Sequence, residues 1–204
     1  MKEDSRTKTT FITEARREQF IEAAIRTLDE IGYVNASQAQ IAKRAGVSTA
    51  LISYHFADKS DLMNQLLMNL VEKSASYIMD RVNKEHSAWD KLRAFITASL
   101  DYQSTHRARN VALIEIVFNA RTPDNIPYYK LDEDDGDPVW DELKQILIFG
   151  QNNGEFGAFD VDVIATIIQG GIGEYMLSSG VAHKVDSDAY KAELIRVIER
   201  IVGK

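Results

Sequence analysis

The residues best equipped for chemistry are concentrated in one stretch, residues 37–56, SQAQIAKRAGVSTALISYHF. It carries the hydroxyls of Ser37, Ser48, Thr49, Ser53 and Tyr54, the amide of Gln38 and the imidazole of His55, with Lys59 just beyond. Hydroxyl and amide groups bond base edges or phosphates, and small residues such as Ala50 let a backbone approach a base edge closely. The same side chains do not make a reaction centre. The chain has no cysteine, so thiolate nucleophiles, disulfides and cysteine zinc sites are excluded. His55, His86, His106 and His183 are scattered, and neither HExxH nor Gly-x-Ser-x-Gly occurs. The expectation is a non-enzymatic protein that needs no cofactor and no metal.

Two short helices around a tight turn must position these groups. Ser37 caps the first, whose inward residues read as Ala39, Ile41 and Ala42. Gly46 follows where the chain has to leave a helix, a place where glycine reaches positive φ without a Cβ clash. Val47 fills the corner and Ser48 caps the second helix. There Ile52 and Phe56, four apart, point inward, and Thr49, Ala50, Ser53 and Tyr54 point out. This is the helix-turn-helix design. On either side stand longer helices. Phe20, Ile21, Ala24, Ile25, Leu28 and Ile31 give one apolar face over residues 14–31, with Thr13 as N-cap and Gly32 just past the end. Asp58 and Asp61 resemble a capping box that opens a helix carrying Leu62, Leu66, Leu67, Leu70, Val71 and Ile78.

Residues 14–73 resemble the DNA-binding domain of tetracycline-repressor-type (TetR) transcriptional regulators. The matching residues are Gly32-Tyr33, Ser37, Ile41-Ala42, Ala45-Gly46-Val47-Ser48, Tyr54-His55-Phe56, Lys59 and Leu62. The resemblance implies an all-α fold and a major-groove recognition helix. It also implies that tyrosine, histidine and lysine lie at or near phosphate, which nominates Ser37, Gln38, Ser48, Thr49, Ala50, Ser53, Tyr54, His55 and Lys59 as DNA-binding residues. Ala50 stands where that family often has glycine, Leu51 where it often has a small or polar residue, and Ser53 where an aromatic is frequent. Leu51 can meet a thymine methyl or pack inward, so an operator sequence does not follow. His55 has a second reading as a packed core residue, and Lys43 and Arg44 as a solvated face. The implied organisation is a flexible tail at 1–13, the head at 14–73, and a helical effector-binding and dimerisation domain at 74–204. The implied activity is that of a homodimeric repressor, joined through its two C-terminal helices, that a small-molecule effector releases from palindromic double-stranded operator DNA. A helical small-molecule-binding or scaffold protein without specific DNA binding is the alternative.

Composition at first speaks against nucleic acid, because 24 Lys+Arg face 31 Asp+Glu for a net charge of −7. Residues 1–62, however, hold nine of each sign, so the whole excess lies in residues 63–204. With 45% hydrophobic residues over 204 positions, the chain is long and apolar enough to bury a core. The start has no signal-peptide pattern, and the most apolar run, residues 161–181, is broken by Asp162, Gln169 and Glu174. A cytoplasmic protein without membrane contact is expected.

Beyond residue 73 helical periodicity continues, through Leu92, Phe95, Ile96 and Ser99, through Val111, Ile114, Val117 and Phe118, then over about 139–152, 161–181 and 187–202. Gly170, Gly171 and Gly173 allow close backbone approach or a bend. All three prolines, Pro123, Pro127 and Pro138, fall in one irregular connection that also holds Asp132, Glu133, Asp134, Asp135 and Asp137. The register of those acids does not fit a calcium loop, which leaves a solvated segment. Candidate effector contacts combine aromatics with polar groups set among apolar ones: Phe95, Tyr102, Glu115, Phe118, Trp140, Gln169, Glu174 and Tyr175. Glu115, inside VALIEIVF, needs a partner such as Arg109 or Arg121, or a raised pKa. Were Glu115 and Glu174 to face one cavity, a cationic or hydrogen-bond-donating effector is expected.

Overall fold

Apolar residues recurring at helical spacing, with no alternating runs, fold into an all-α chain. The computed structural model describes residues 3–131, 137–177, 180 and 184–204, with backbone only at 3–13 and 176. The helices are α1 (Glu3–Asn35), α2 (Gln38–Ala45), α3 (Thr49–His55), α4 (Lys59–Val82), α5 (Ala88–Thr105), α6 (Arg107–Asn119), α7 (Pro138–Asn152), α8 (Val161–Leu177) and α9 (Ser187–Val202). A 3-10 turn, Tyr128–Lys130, lies in the connection between α6 and α7. No strand occurs among the described residues. One of them, α1, begins at Glu3 rather than after a cap at Thr13, which lies within the helix. The apolar stripe starts only at Phe20, but extending a formed helix fixes one residue per new hydrogen bond and needs no buried face. Residues 132–136, with the acidic Asp132, Glu133, Asp134 and Asp135, lie outside the described residues, as do Val181 and His183. Asp137 is the N-cap of α7, accepting from the Val139 amide at 2.9 Å, with Pro138 in the first turn.

The chain forms two compact units. The first comprises residues 1–70 and 108–131, the second 71–107 and 132–204. In the first, Phe20, Ile25 and Leu28 of α1, Ile41 of α2, Ile52 of α3 and Leu62, Met63 and Leu66 of α4 share one core with Phe56. The apolar face of α6, Ala112 and Ile116, completes that core. Arg109 of α6 pairs with Glu22, and the Tyr128 hydroxyl bonds Asn64. The N-terminal unit thus takes in a segment from far along the chain.

The second unit packs Leu92, Phe95 and Ile96 of α5 against Leu143, Ile146 and Leu147 of α7, Ile164, Ile168 and Ile172 of α8, and Ile198 and Val202 of α9. Glu155 caps α5 from the α7–α8 loop, accepting from the Ala88 and Trp89 amides at 3.1 Å each. Of the three glycines in α8, Gly171 makes a close approach: a Cβ there would stand 2.9 Å from Leu194 Cδ1, and its carbonyl accepts from the Tyr190 hydroxyl at 2.6 Å. Gly170 and Gly173 face open space. No helix among the described residues is long and apolar enough to cross a membrane.

Candidate nucleic-acid interface

Local chemistry fixes the ends of α2 and α3. The Ser37 hydroxyl accepts from the Gln40 amide at 3.3 Å, and Ser48 accepts from the Leu51 amide at 3.3 Å. Gly46, at φ 70° and ψ 31°, ends α2 in the left-handed region and sends its amide back to the Ala42 and Lys43 carbonyls. Ile41, Ala42 and Ile52 are buried, whereas Ala39 is exposed, contrary to the inward position expected of it. Along α2, Ile41 marks the face towards α1, and position 39 lies about 160° round the helix from it at 100° per residue. Val47 packs against the core at the corner.

The outer face of α3 is what the spacing predicts. Thr49, Ala50, Ser53 and Tyr54 are all exposed, Tyr54 at 83%. Leu51 is half-buried and packs inward, which settles its two readings in favour of the core. His55 takes an intermediate position: its ring lies 5.3 Å from Phe20 and 5.2 Å from Tyr54, edge-on to the tyrosine. It therefore braces α3 against α1.

Several nominated or flanking polar groups hold the helices in place. Gln38 donates to the Phe56 carbonyl at 3.2 Å and accepts from Ser53 at 3.4 Å, tying α2 to α3. Arg44 forks onto Glu30 and donates to Thr27 Oγ1 at 3.2 Å, so it staples α2 to α1. Gln19 donates to the Ala45 carbonyl at 2.8 Å and satisfies the end of α2. Lys43 remains exposed. Lys59 is half-buried: its ammonium donates to the Tyr33 carbonyl at 2.6 Å and lies 4.3 Å from the centre of the Tyr33 ring. Burial lowers the pKa of that ammonium. Asp58 and Asp61 form the capping pair: Asp58 accepts from the Asp61 amide and Asp61 from the Ala57 amide, both at 2.9 Å. A side-chain bond from Gln65, and then the Ala57 amide, depress the Asp61 pKa.

Residues 20–66 match the family described as bacterial regulatory proteins, tetR family. The match lies within the head and takes in α2, α3 and the start of α4. Over 90 residues it is 40% identical to the HTH-type transcriptional regulator BetI of Stenotrophomonas maltophilia, covering 42% of this chain and 44% of that one. The Escherichia coli K12 regulator of the same name is 34% identical over 88 residues, 42% of this chain and 45% of its own. The matched region thus spans less than half the length of these curated relatives. Among solved structures, the transcriptional regulator FadR of Bacillus subtilis in complex with stearoyl-CoA superposes with a TM-score of 0.76 at 22% identity, covering 89% of this chain and 96% of that one. A tetR-family protein from Rhodococcus RHA1 gives 0.76 at 19% identity, covering 92% and 96%. Those similarities are of fold.

The nominated effector residues are divided between the two units. Glu115 and Phe118 lie in the first unit. Glu115 Oε2 accepts from the Tyr33 amide at 2.7 Å, so its partner is backbone rather than Arg109 or Arg121. Phe118 is 55% exposed and stacks on Tyr129. In the second unit Phe95 is fully buried core, and Tyr102 stacks on His106 at 4.3 Å. Trp140 carries the Lys144 ammonium 5.4 Å from its ring centre, and its buried Nε1 has no hydrogen-bond partner. Gln169 is half-buried and Glu174 exposed. Tyr175 packs on Tyr190 and donates to the Val185 carbonyl at 3.3 Å. Glu115 is thus engaged at Tyr33 in the first unit, and Glu174 is exposed in the second. A groove of about 380 Å³ in the second unit is lined instead by Arg81, Lys84, Asp90, Arg93 and Asp101 among others.

Proposed function

We propose that this chain is a tetR-family, ligand-responsive transcriptional repressor that binds near-palindromic operator DNA as a homodimer. The observation that carries the reading is the division of labour on α3: Ile52 is fully buried while Thr49, Ala50, Ser53 and Tyr54 are offered outward. A helix anchored on one side and small and hydroxylated on the other suits a major groove. Thr49, Ala50 and Ser53 meet base edges, and Tyr54 and the Ser37 and Ser48 caps lie towards phosphate. Gln38, His55 and Lys59 hold that face in position.

Dimerisation uses α8 and α9. On them Val163, Ile167, Val197 and Ile201 are between 41% and 54% exposed, and the bare Gly170 backbone lies on α8. Such apolar side chains on neighbouring helices are a self-complementary surface for a two-fold partner. Two recognition helices then enter successive major grooves about 34–36 Å apart. An effector held by the second unit acts through α4, and linkage makes effector and operator weaken each other's binding equally.

The test is selection from a randomised duplex library with the full chain, followed by titration of the recovered sites at several salt concentrations, with Tyr54→Ala as control. Recovery of inverted repeats, bound with a steep salt dependence, supports the reading. Binding that ignores sequence, or none, supports a helical ligand-binding or scaffold protein instead.

A further inference from the structure

Between α1 and the helix-turn-helix the chain passes through Gly32 and Tyr33. Gly32 has φ 71° and ψ 169°, a conformation that only glycine adopts without strain, so α1 is broken there and the chain is re-aimed towards α2. Both peptide groups of Tyr33 are then held by charged side chains from elsewhere in the unit. Its amide donates to Glu115 Oε2 at 2.7 Å, and its carbonyl accepts the Lys59 ammonium at 2.6 Å. The same carbonyl accepts from the Ala36 amide at 3.2 Å, one residue before the Ser37 cap of α2. Asn119 steadies the glutamate with a bond at 3.4 Å to Oε2. A Cβ on Gly32 would stand 3.2 Å from that oxygen, so the carboxylate is seated closely over the turn.

The origin of the two side chains matters. The chain passes between the two units at 70/71, 107/108 and 131/132. The first crossing lies inside α4 and the second inside α6. Lys59 belongs to α4 and Glu115 to α6. Lys59 thus lies on the helix that runs on into the second unit, and Glu115 on a helix of which only the first residue, Arg107, belongs to that unit; each places one charge on the backbone of the same residue.

We infer that the Tyr33 junction is the point at which α4 and α6 set the pitch of the helix-turn-helix, with Lys59 and Glu115 as its positioning residues. The inference rests on the operator-binding reading and adds which residues away from the DNA-facing surface set its geometry. Neither side chain needs to touch DNA. A shift of either helix along its axis changes the grip on Tyr33, and Ala36 and Ser37 follow because they are bonded to it. In a dimer, a small rotation of each α2–α3 pair alters the separation of the two recognition helices, and with it the spacing of half-sites that can be bound.

The experiment uses the full chain and duplexes that keep the half-site selected by the wild type while varying the spacer between repeats. The wild type is expected to prefer one spacer length. Glu115→Ala removes a charged acceptor and is expected to weaken binding about tenfold at that spacer, in line with a lost charge-assisted bond. It also accepts neighbouring spacers more evenly, with the half-site bases unchanged. Glu115→Gln keeps an oxygen within reach of the Tyr33 amide and restores the narrow preference. Lys59→Met broadens it, and the double variant Glu115→Ala/Lys59→Met is no broader than the worse single, as for two residues acting at one node. A Glu115→Ala protein that melts like the wild type and keeps its narrow preference overturns the inference. If Glu115→Ala fails to fold, a narrow preference in Lys59→Met does the same. A wild type that recovers no duplex removes the operator-binding reading itself, and this inference with it.

Discussion

Tyr54 and Phe56 stand two residues apart and do opposite work. The first is 83% exposed and the second 1%. Tyr54→Ala should lower operator affinity about tenfold, the scale of one good contact, while leaving the thermal midpoint within a degree or so. Phe56→Ala should cost about 3–5 kcal/mol of stability through the cavity it leaves in the head. Titration of the selected duplex beside thermal melts separates the two. Glu155 offers a pH-resolved case in the other unit. Its pKa is depressed, chiefly by the Ala88 amide it accepts from, with the Trp89 amide and Asn153 adding to the effect. A carboxyl with a depressed folded pKa stabilises above its unfolded value, about 4.3, and that contribution is lost as pH falls through the folded value. Glu155→Gln should therefore destabilise by about 1 kcal/mol at pH 7, the usual worth of a helix cap, and by much less at pH 3. Urea unfolding at both pH values reads the difference, and an equal loss at both would mean that the charge contributes nothing.

At the scale of elements, the head is specified by its breaks as much as by its helices. Gly32 and Gly46 have the same φ within a degree, 71° and 70°, but ψ of 169° and 31°. An alanine at Gly46 enters the left-handed helical region with nothing within 4 Å, a cost of about 1 kcal/mol. At Gly32 it enters a region closed to other residues and crowds Glu115, so Gly32→Ala should cost about 1–3 kcal/mol and more than Gly46→Ala. Chemical denaturation of the two variants gives the order directly. The helices between these breaks are tied by bonds that span elements, Arg44 to Glu30 and Gln38 to the Phe56 carbonyl. Their stiffness lets a seven-residue helix such as α3 hold a fixed direction, which its own length would not support.

For the whole molecule, the decisive quantity is the assembly. Val163, Ile167, Val197 and Ile201 are exposed on helices whose other faces fill the core of the second unit. Ile167→Asp combined with Val197→Asp should convert a dimer to a monomer in sedimentation, because burying two unpaired carboxylates at a symmetric interface is costly. The same double variant should keep its helical signal and lose most of its affinity for a full inverted repeat, with little change for a single half-site. Retained dimerisation would place the two-fold contact elsewhere. The charge division fits this picture. With the −7 confined to residues 63–204, the proposed operator binding would depend on two placed copies of α3 rather than on bulk attraction.

The sequence by itself determined the all-α class, the caps at Ser37 and Ser48, the exit at Gly46, the inward pair Ile52 and Phe56 and the outward face of α3. All of these follow from interactions within a few residues of one another, which spacing and residue type encode. Tertiary structure decided the rest. Nothing local to VALIEIVF tells that Glu115 serves the Tyr33 amide, because its partner is 82 residues away and is backbone, with no side-chain signature. Arg44 is equally opaque: on its own helix it reads as surface charge, and only the approach of α1 brings Glu30 and Thr27 to it. Nor does residue spacing show that α6 completes the core of the head, since an apolar stripe states that a face is buried but not against what. Local rules name the groups that can meet a nucleic acid, and packing decides which of them are spent holding the others still.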